Sequence, residues 1–319
     1  MNGWTERCTI GISTRDRAED LRHTLERQRL IGLGDMRYII VDDGSSDPMS
    51  IHSLAEKLPR CRFVRHEQSA GYVQRRQEMA EMCETEFLIS LDDDSYFNNV
   101  EGMGKVFAAF DSDAKLALAS FKIIELRLHE TPVCRRITQL PEGYFYWFRG
   151  CGYVVRVRDF LAAGGFPAVF QFGSEESHLN HQFFRMGLKV LHMPSVVVEH
   201  RWSPSARPAW DRAFNLHRSQ VLLKTFDHPW LPMLAGVAKL TLWDSWGTHD
   251  AFRARFLAGL SGIRFGLRQR SKFKQLSWSQ YVAFRKEQRR ARIPERVEFD
   301  SCSGLFTRGC LRSQQTTDM

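Results

Sequence analysis

The chain has 319 residues, of which 43% are hydrophobic and 26% charged, a globular composition with enough length for one large domain or a domain and an appendage. That excludes a disordered or fibrous chain, and no apolar run is long enough to span a bilayer; the best, Leu231 to Trp243, is short and contains Lys239. The net charge of +8 is lopsided: 25 Lys and Arg against 28 Asp and Glu up to Ser205, then 20 against 9 from Ala206. The asymmetry implies two parts with different tasks, residues 1–205 and a basic region 206–319. The N-terminus carries no signal-peptide core. The seven cysteines are scattered, with no C-x-x-C pair, and fit reduced cytosolic thiols better than disulfides or zinc.

In chain order, Cys8 to Ser13 reads as a first strand and Thr14-Arg15-Asp16-Arg17 as a polar loop, with Asp20 expected to cap a helix carrying Leu21 and Leu25. Tyr38 to Val41 is an unbroken apolar run, typical of a strand covered on both faces, and ends in Asp42-Asp43-Gly44-Ser45-Ser46-Asp47. Ile51 to Leu58 has helical spacing, Phe63-Val64 is a short strand and Gly71 to Glu84 a further helix. Phe87 to Leu91 is the next strand and stops at Asp92-Asp93-Asp94. A helix over Val100 to Phe110 and a strand over Leu116 to Phe121 continue the alternation, which predicts a mostly parallel α/β sheet with helices on both faces.

Both acidic strand ends then lie on one sheet edge, where open α/β sheets bind ligands. One group of carboxylates can hold a base and ribose, the other a divalent cation and a pyrophosphate, with Arg15, Arg75 and Arg76 to meet phosphate charge. Asp92 and Asp94, two apart on an extended strand, point the same way. A solvated acidic turn is the alternative for the triplet, and ordinary surface arginine for each arginine.

These blocks resemble the nucleotide-sugar half of family-two glycosyltransferases, which have a GT-A fold, a V-D-D-G-S-x-D loop, a G-x-x-x-A-R-N helix start and a D-x-D motif. Gly71 to Gln77 departs from the second pattern, with Arg75 for Ala and Gln77 for Asn, while Arg76 keeps its place. Arg149 to Arg156 is similar to the family's small-residue strand, Phe160 to Phe166 to the segment after it, Phe172 to Leu179 to the G-x-E-D region, and Val196 to Trp202 to the strand ending in a histidine. The resemblance covers the first two thirds of the chain. It implies a Rossmann-like GT-A domain over 1–205 and inverting transfer from a nucleotide-diphosphate sugar to a hydroxyl of a glycan or lipid-linked glycan.

Such a displacement needs a base for the acceptor proton and a cation for the leaving diphosphate. By family position Glu176 is the base, a Glu where an Asp is usual, and Glu175 orients the acceptor; an exchange of roles stays open, and both charges also suit a helix N-terminus. The resemblance makes Asp94 and His200 the ligands of Mn2+ or Mg2+, and Thr14, Arg15, Asp42, Asp43, Arg76, Asp92 and Asp93 the donor contacts. A strand-end histidine bonded to backbone is the plainer reading of His200.

Five consecutive aromatics, Tyr144 to Phe148, read either as an acceptor platform or as core. From Ala206 helical spacing dominates. Phe252, Phe256, Leu260, Ile263 and Leu267 form one stripe among arginines, and a second basic run covers Arg285 to Arg292. That is either a subdomain packed on the catalytic part or a peripheral contact with an anionic membrane. No motif supports nucleic acid as a partner, the sequence sets no oligomeric state, and residues Ser301 to Met319 form a polar tail expected to fray. The rivals are a nucleotidyltransferase, which wants a glycine-rich, lysine-bearing loop that Ser13 to Arg17 does not provide, and a non-catalytic nucleotide-sugar binding protein.

Overall fold

The computed structural model describes residues 3–128, 133–202, 209–243, 249–290 and 295–299. The first half runs β1 (Cys8–Thr14), α1 (Ala18–Leu30), β2 (Arg37–Asp42), α2 (Pro48–Ala55), β3 (Cys61–Arg65), α3 (Tyr72–Met82), β4 (Phe87–Asp92), β5 (Ser95–Asn99) and α4 (Met103–Ser112). The second runs β6 (Leu116–Arg127), β7 (Cys134–Thr138), β8 (Gly143–Tyr144), β9 (Gly152–Arg156), α5 (Val157–Ala162), α6 (Glu175–Met186) and β10 (Lys189–His200). The basic region supplies α7 (Ala209–Asp227), α8 (Trp230–Ala238), a π-helical turn Lys239–Trp243, α9 (His249–Gln269), α10 (Trp278–Arg290) and β11 (Glu295–Phe299).

Among the described residues the strands form one mixed sheet, ordered β11-β7-β6-β9-β4-β1-β2-β3, with β10 alongside β6 and carrying β5 and β8. The β3-β2-β1-β4 half is parallel, as the alternation of strand and helix requires. β9 runs antiparallel between β4 and β6, so the sheet as a whole is partly parallel. Its central strands are apolar throughout because each face has its own core. Ile10, Ile12, Ile40, Phe87, Ile89 and Leu91 face one way, packed with residues of α1, α2 and α4. Ile39, Val41, Leu88 and Val155 face the other, packed with α3, α5, α6 and α7.

Register places the polar strand ends. Thr14 pairs with Asp42 and Ser13 with Asp92, so the ends of β1, β2 and β4 share one edge. His200 closes β10 opposite Ser95 of β5 and Glu125 of β6. The backbone N–H of Arg201 donates to the carbonyl of Asp94 at 2.8 Å, which locks the acidic triplet beside the histidine.

Several expectations change. Arg17, not Asp20, is the N-cap of α1, and Asp20 lies in its first turn. Of the aromatic run, Phe148 is core, Tyr146 packs on Phe184 and Phe284, and Trp147 packs on His192, so it is mainly packing. The α9 stripe does not form the packed face: Phe252, Leu260 and Leu267 are exposed. α9 instead buries Ala254, Ala258, Gly262 and Gly266, with Val221 and Thr225 of α7 filling the space at the two glycines. Small residues let two helices approach closely, and that contact outweighs the larger apolar side chains here. The boundary at 205/206, Arg292, the polar tail, Cys302 and Cys310 lie outside the described residues. The five described cysteines, Cys8, Cys61, Cys83, Cys134 and Cys151, are free thiols. No helix among the described residues is long and apolar enough to cross a membrane.

Candidate active site

The shared sheet edge opens into a cleft of about 790 Å³, lined among others by Thr14, Arg15, Arg17, Asp43, Arg76, Asp92, Asp93, Asp94, Glu176 and His200. Nine of the eleven site residues expected from the sequence lie on this lining; the exceptions are Asp42 and Glu175.

Asp42 is fully buried, and its Oδ1 accepts the Ser45 N–H at 2.9 Å. It shapes the loop rather than facing a ligand, because the first carboxylate of the pair still belongs to β2. The loop turns at Gly44, whose φ of +81° and close approach to the 67–69 backbone leave no room for a Cβ. Asp43 is thereby presented to the cleft. It accepts from Ser69 Oγ (2.6 Å), the N–H groups of Ala70 (2.8 Å) and Gly71 (2.9 Å) and Arg75 Nε (2.7 Å). Burial raises its pKa, but these donors outweigh burial and hold it below the usual carboxylate range. Arg75, one of the two departures from the family pattern, is therefore a buried partner of Asp43 and Glu78. Gln77, the other, takes the Phe166 N–H on its Oε1 at 2.8 Å.

Asp92, Asp94 and His200 each offer a ligand atom, and these atoms lie within 4.8 Å of one another. His200 Nε2 stands 3.2 Å from Asp94 Oδ1. Burial disfavours the imidazolium, yet the hydrogen bond to Asp94 and the charges of Asp94, Asp92 and Glu125 raise its pKa. Two carboxylates and one imidazole are a fitting donor set for a divalent ion, with open positions left for phosphate oxygens. Asp92, expected as a donor contact, is thus placed with the metal group and also pairs with Arg76.

Asp93 turns away from that cluster. Its carboxylate accepts from Thr14 Oγ1 at 2.8 Å and Arg17 Nη1 at 2.9 Å, and Arg17 reaches Asp94 at 3.2 Å. Burial and then the charge of Asp94 raise the Asp93 pKa, against the opposing pull of Arg17. Arg17 went unassigned in the sequence, although three adjacent carboxylates demand a local cation. Asp16 beside it has φ +54° and ties the loop to Ser45 and Ser46. Arg15 is exposed and meets Asp16 at 3.6 Å.

The two glutamates separate clearly. Ser174, with φ +73°, starts α6, a strained backbone immediately before the pair. Glu175 is fully buried, accepts from Tyr72 Oη at 2.9 Å and lies 3.8 Å from Arg76. Burial and the neighbouring Glu176 charge push its pKa up. Glu176 faces the cleft and accepts the Gly150 N–H at 3.2 Å. Glycine at 150 lets the Arg76 guanidinium pack where a Cβ would otherwise lie. Residues the sequence left unassigned complete the wall: Tyr72, Phe172 and Trp202 as aromatics, with Glu125 held between Arg127 (2.7 Å) and Arg149 (3.0 Å).

A GT-A sheet edge with a carboxylate-rich loop, a candidate metal cluster and a carboxylate across the cleft defines a metal-dependent glycosyltransferase that uses nucleotide sugars. Residues 9–187 match the model of the family described as glycosyl transferase family 2. The chain belongs to that family. No curated protein sequence matches it. It is similar in fold to the mannosyltransferase PcManGT from Pyrobaculum calidifontis, solved with GDP-Man and Mn2+, at 14% identity and TM-score 0.52 over 88% of this chain and 84% of that one. It is also similar to GalNAc-T7, solved with UDP, GalNAc and Mn2+, at 13% identity and TM-score 0.54. That match covers 83% of this chain and 57% of the GalNAc-T7 chain.

Proposed function

We propose that the protein is an inverting hexosyltransferase that moves a sugar from a nucleotide-diphosphate donor to a hydroxyl of a glycan or lipid-linked glycan, as in building cell-envelope polysaccharide. The observation that carries this reading is the convergence of Asp92, Asp94 and His200 within 4.8 Å in the cleft that Glu176 also faces. The catalytic unit is residues 1–205, and residues 206–319 are an appended basic region. Donors of this kind are made in the cytoplasm, which is where the reading places the enzyme, at the inner membrane surface when its acceptor is lipid-linked.

Asp43 holds the nucleoside end, with Arg75 and the 69–71 backbone fixing its carboxylate. Asp92, Asp94 and His200 would hold the divalent ion, which offsets the charge of the departing diphosphate. The imidazole favours Mn2+ alongside Mg2+, and both solved structures named above contain Mn2+. Arg15 and Arg17 stand at the same end of the cleft, available to the phosphates. Glu176 takes the proton from the incoming hydroxyl, its carboxylate steadied by the Gly150 N–H. Glu175 acts through Tyr72 and Arg76, both on the cleft wall, as a positioning residue.

Thermal melting with a panel of nucleoside diphosphates, with and without Mn2+, tests the reading. A ligand at about a hundredfold its Kd stabilises the native state by about 2.7 kcal/mol, a shift readily seen in a melt. One nucleoside diphosphate stabilising the protein only with the ion is the expected result; no stabilisation by any pair contradicts it.

A further inference from the structure

We propose that α8 and the turn after it are a membrane-docking element that lies in the surface of an anionic bilayer. The proposal deepens the reading of a lipid-linked acceptor and rests on it for its purpose, though not for its test.

The segment Trp230 to Trp243 reads WLPMLAGVAKLTLW, with Lys239 its one charge. A helix this apolar belongs in a core. Here only Met233 of α8 is buried. Trp230 is 59% exposed, Leu231 72%, Leu234 56% and, beyond the helix, Leu242 62%. Neighbouring elements add to the same region. Leu276 N–H donates to the Asp227 carbonyl at 2.8 Å, the His228 ring packs on Tyr281 at 4.8 Å and Arg270 sits over Trp230 at 4.6 Å. The starts of α8 and α10 therefore meet at one corner, where Trp278 and Val282 are exposed as well. At the far end Thr241 lies against Gly259 of α9, close to exposed Leu257 and Leu260. Contiguous exposed apolar side chains of this number mark an interaction surface.

Charge selects the occupant. From Trp230 to Arg289 there are 11 Lys and Arg against 3 Asp and Glu. Arg253, Arg264, Arg268, Lys286 and Arg289 are exposed around the apolar side chains. A second copy would bring two such basic surfaces together and be repelled, whereas an anionic bilayer attracts them. Nine residues of α8 are too short to span a bilayer and suit an orientation along the headgroup boundary, with tryptophans at the interface.

The test is co-sedimentation of the full chain with phosphatidylcholine–phosphatidylglycerol vesicles and with phosphatidylcholine vesicles alone, at about 0.15 M salt. The wild-type chain is expected to be retained on the anionic vesicles. Leu231→Asp with Leu234→Asp should lower partitioning at least about tenfold, since a buried carboxylate is costly in the bilayer. Arg264→Glu with Arg268→Glu should lower it on anionic vesicles only. All four positions are exposed, so melting temperature and nucleoside-diphosphate binding should stay as in wild type. Absence of retention, or equal retention of the leucine variant, overturns the proposal. So does light scattering that shows a wild-type dimer which the leucine variant dissolves, since the face is then a self-interface. Nucleotide binding in the same samples separates the two readings: a chain that binds nucleotide but no vesicle keeps its activity and loses the docking element.

Discussion

Replacing Glu176 with glutamine removes the proposed base and little else. The amide keeps an oxygen to accept the Gly150 N–H, now 3.2 Å away, and the side chain is half-buried with room in the cleft. Stability should therefore change by no more than about 0.5 kcal/mol. A positioned base contributes about 10²–10⁴ in rate, which corresponds to about 3–5 kcal/mol of barrier. Glu175→Gln is the contrasting variant. Its carboxyl is fully enclosed, bonded to Tyr72 and close to Arg76, so an amide there sets two N–H donors in a pocket whose other groups also donate. We expect that variant to lose melting temperature together with activity. The assay is nucleoside diphosphate released from the nucleotide sugar, run beside a melt of each variant. Wild-type turnover in Glu176→Gln, with turnover lost in a Glu175→Gln protein that melts normally, would refute the division of roles.

Three further outcomes follow from the geometry. Arg75→Met strips the buried Asp43 of its ion pair, and breaking such a pair costs about 3–5 kcal/mol, toward the low end because Ser69, Ala70 and Gly71 still donate; urea unfolding reads this, and an unchanged midpoint contradicts it. Gly150→Ala forces a methyl into the Arg76 guanidinium and should reduce turnover and stability together, read in the same release and melting assays; wild-type values in both count against the tight Gly150–Arg76 contact. Buried neutral histidines should contribute an acid-side loss of stability. Burial lowers the pKa of His192 to about 4 and of His228 to about 2, and also lowers that of His181. The unfolded chain takes up protons below about pH 6.5 that these histidines refuse in the fold, so stability falls as pH drops, by about 2 kcal/mol at pH 5 for His192 alone. The raised pKa values of His200, Asp93 and Glu175 oppose this, so the histidine contribution is read as a difference: His192→Gln should lose less melting temperature than wild type between pH 7 and pH 5. An identical change in melting temperature for the two proteins between pH 7 and pH 5 contradicts the assignment.

The parallel half of the sheet was legible because β1, β2 and β4 are buried on both faces and β2 and β4 end abruptly in carboxylates. The strands β5, β7, β8 and β11 were not, because their sequences lack a continuous run: Ser95 to Asn99 is mostly polar, and Gly143–Tyr144 is only two residues long. The approach of Asp94 to His200 depends on the Ser95–His200 register, which no local spacing encodes. The resemblance supplied that pair by position, and the register supplies the physical reason. Asp42 and Asp43 are alike in sequence, and only the turn at Gly44 shows that one is internal and the other faces the cleft. In α9 the helical period was correct, but which face packs was not legible, because small residues, invisible to a hydrophobic stripe, make the closer contact with α7.

Whether a histidine nitrogen joins the metal group is the most direct question the cleft poses. Pulsed electron paramagnetic resonance on Mn2+ bound with a nucleoside diphosphate reads nitrogen coupling to the ion without any turnover. Coupling from one imidazole nitrogen, lost in His200→Ala while the fold stays intact, is the expected result. An ion with no nitrogen coupling, or coupling that persists in His200→Ala, would contradict the convergence of Asp92, Asp94 and His200 on a single cation.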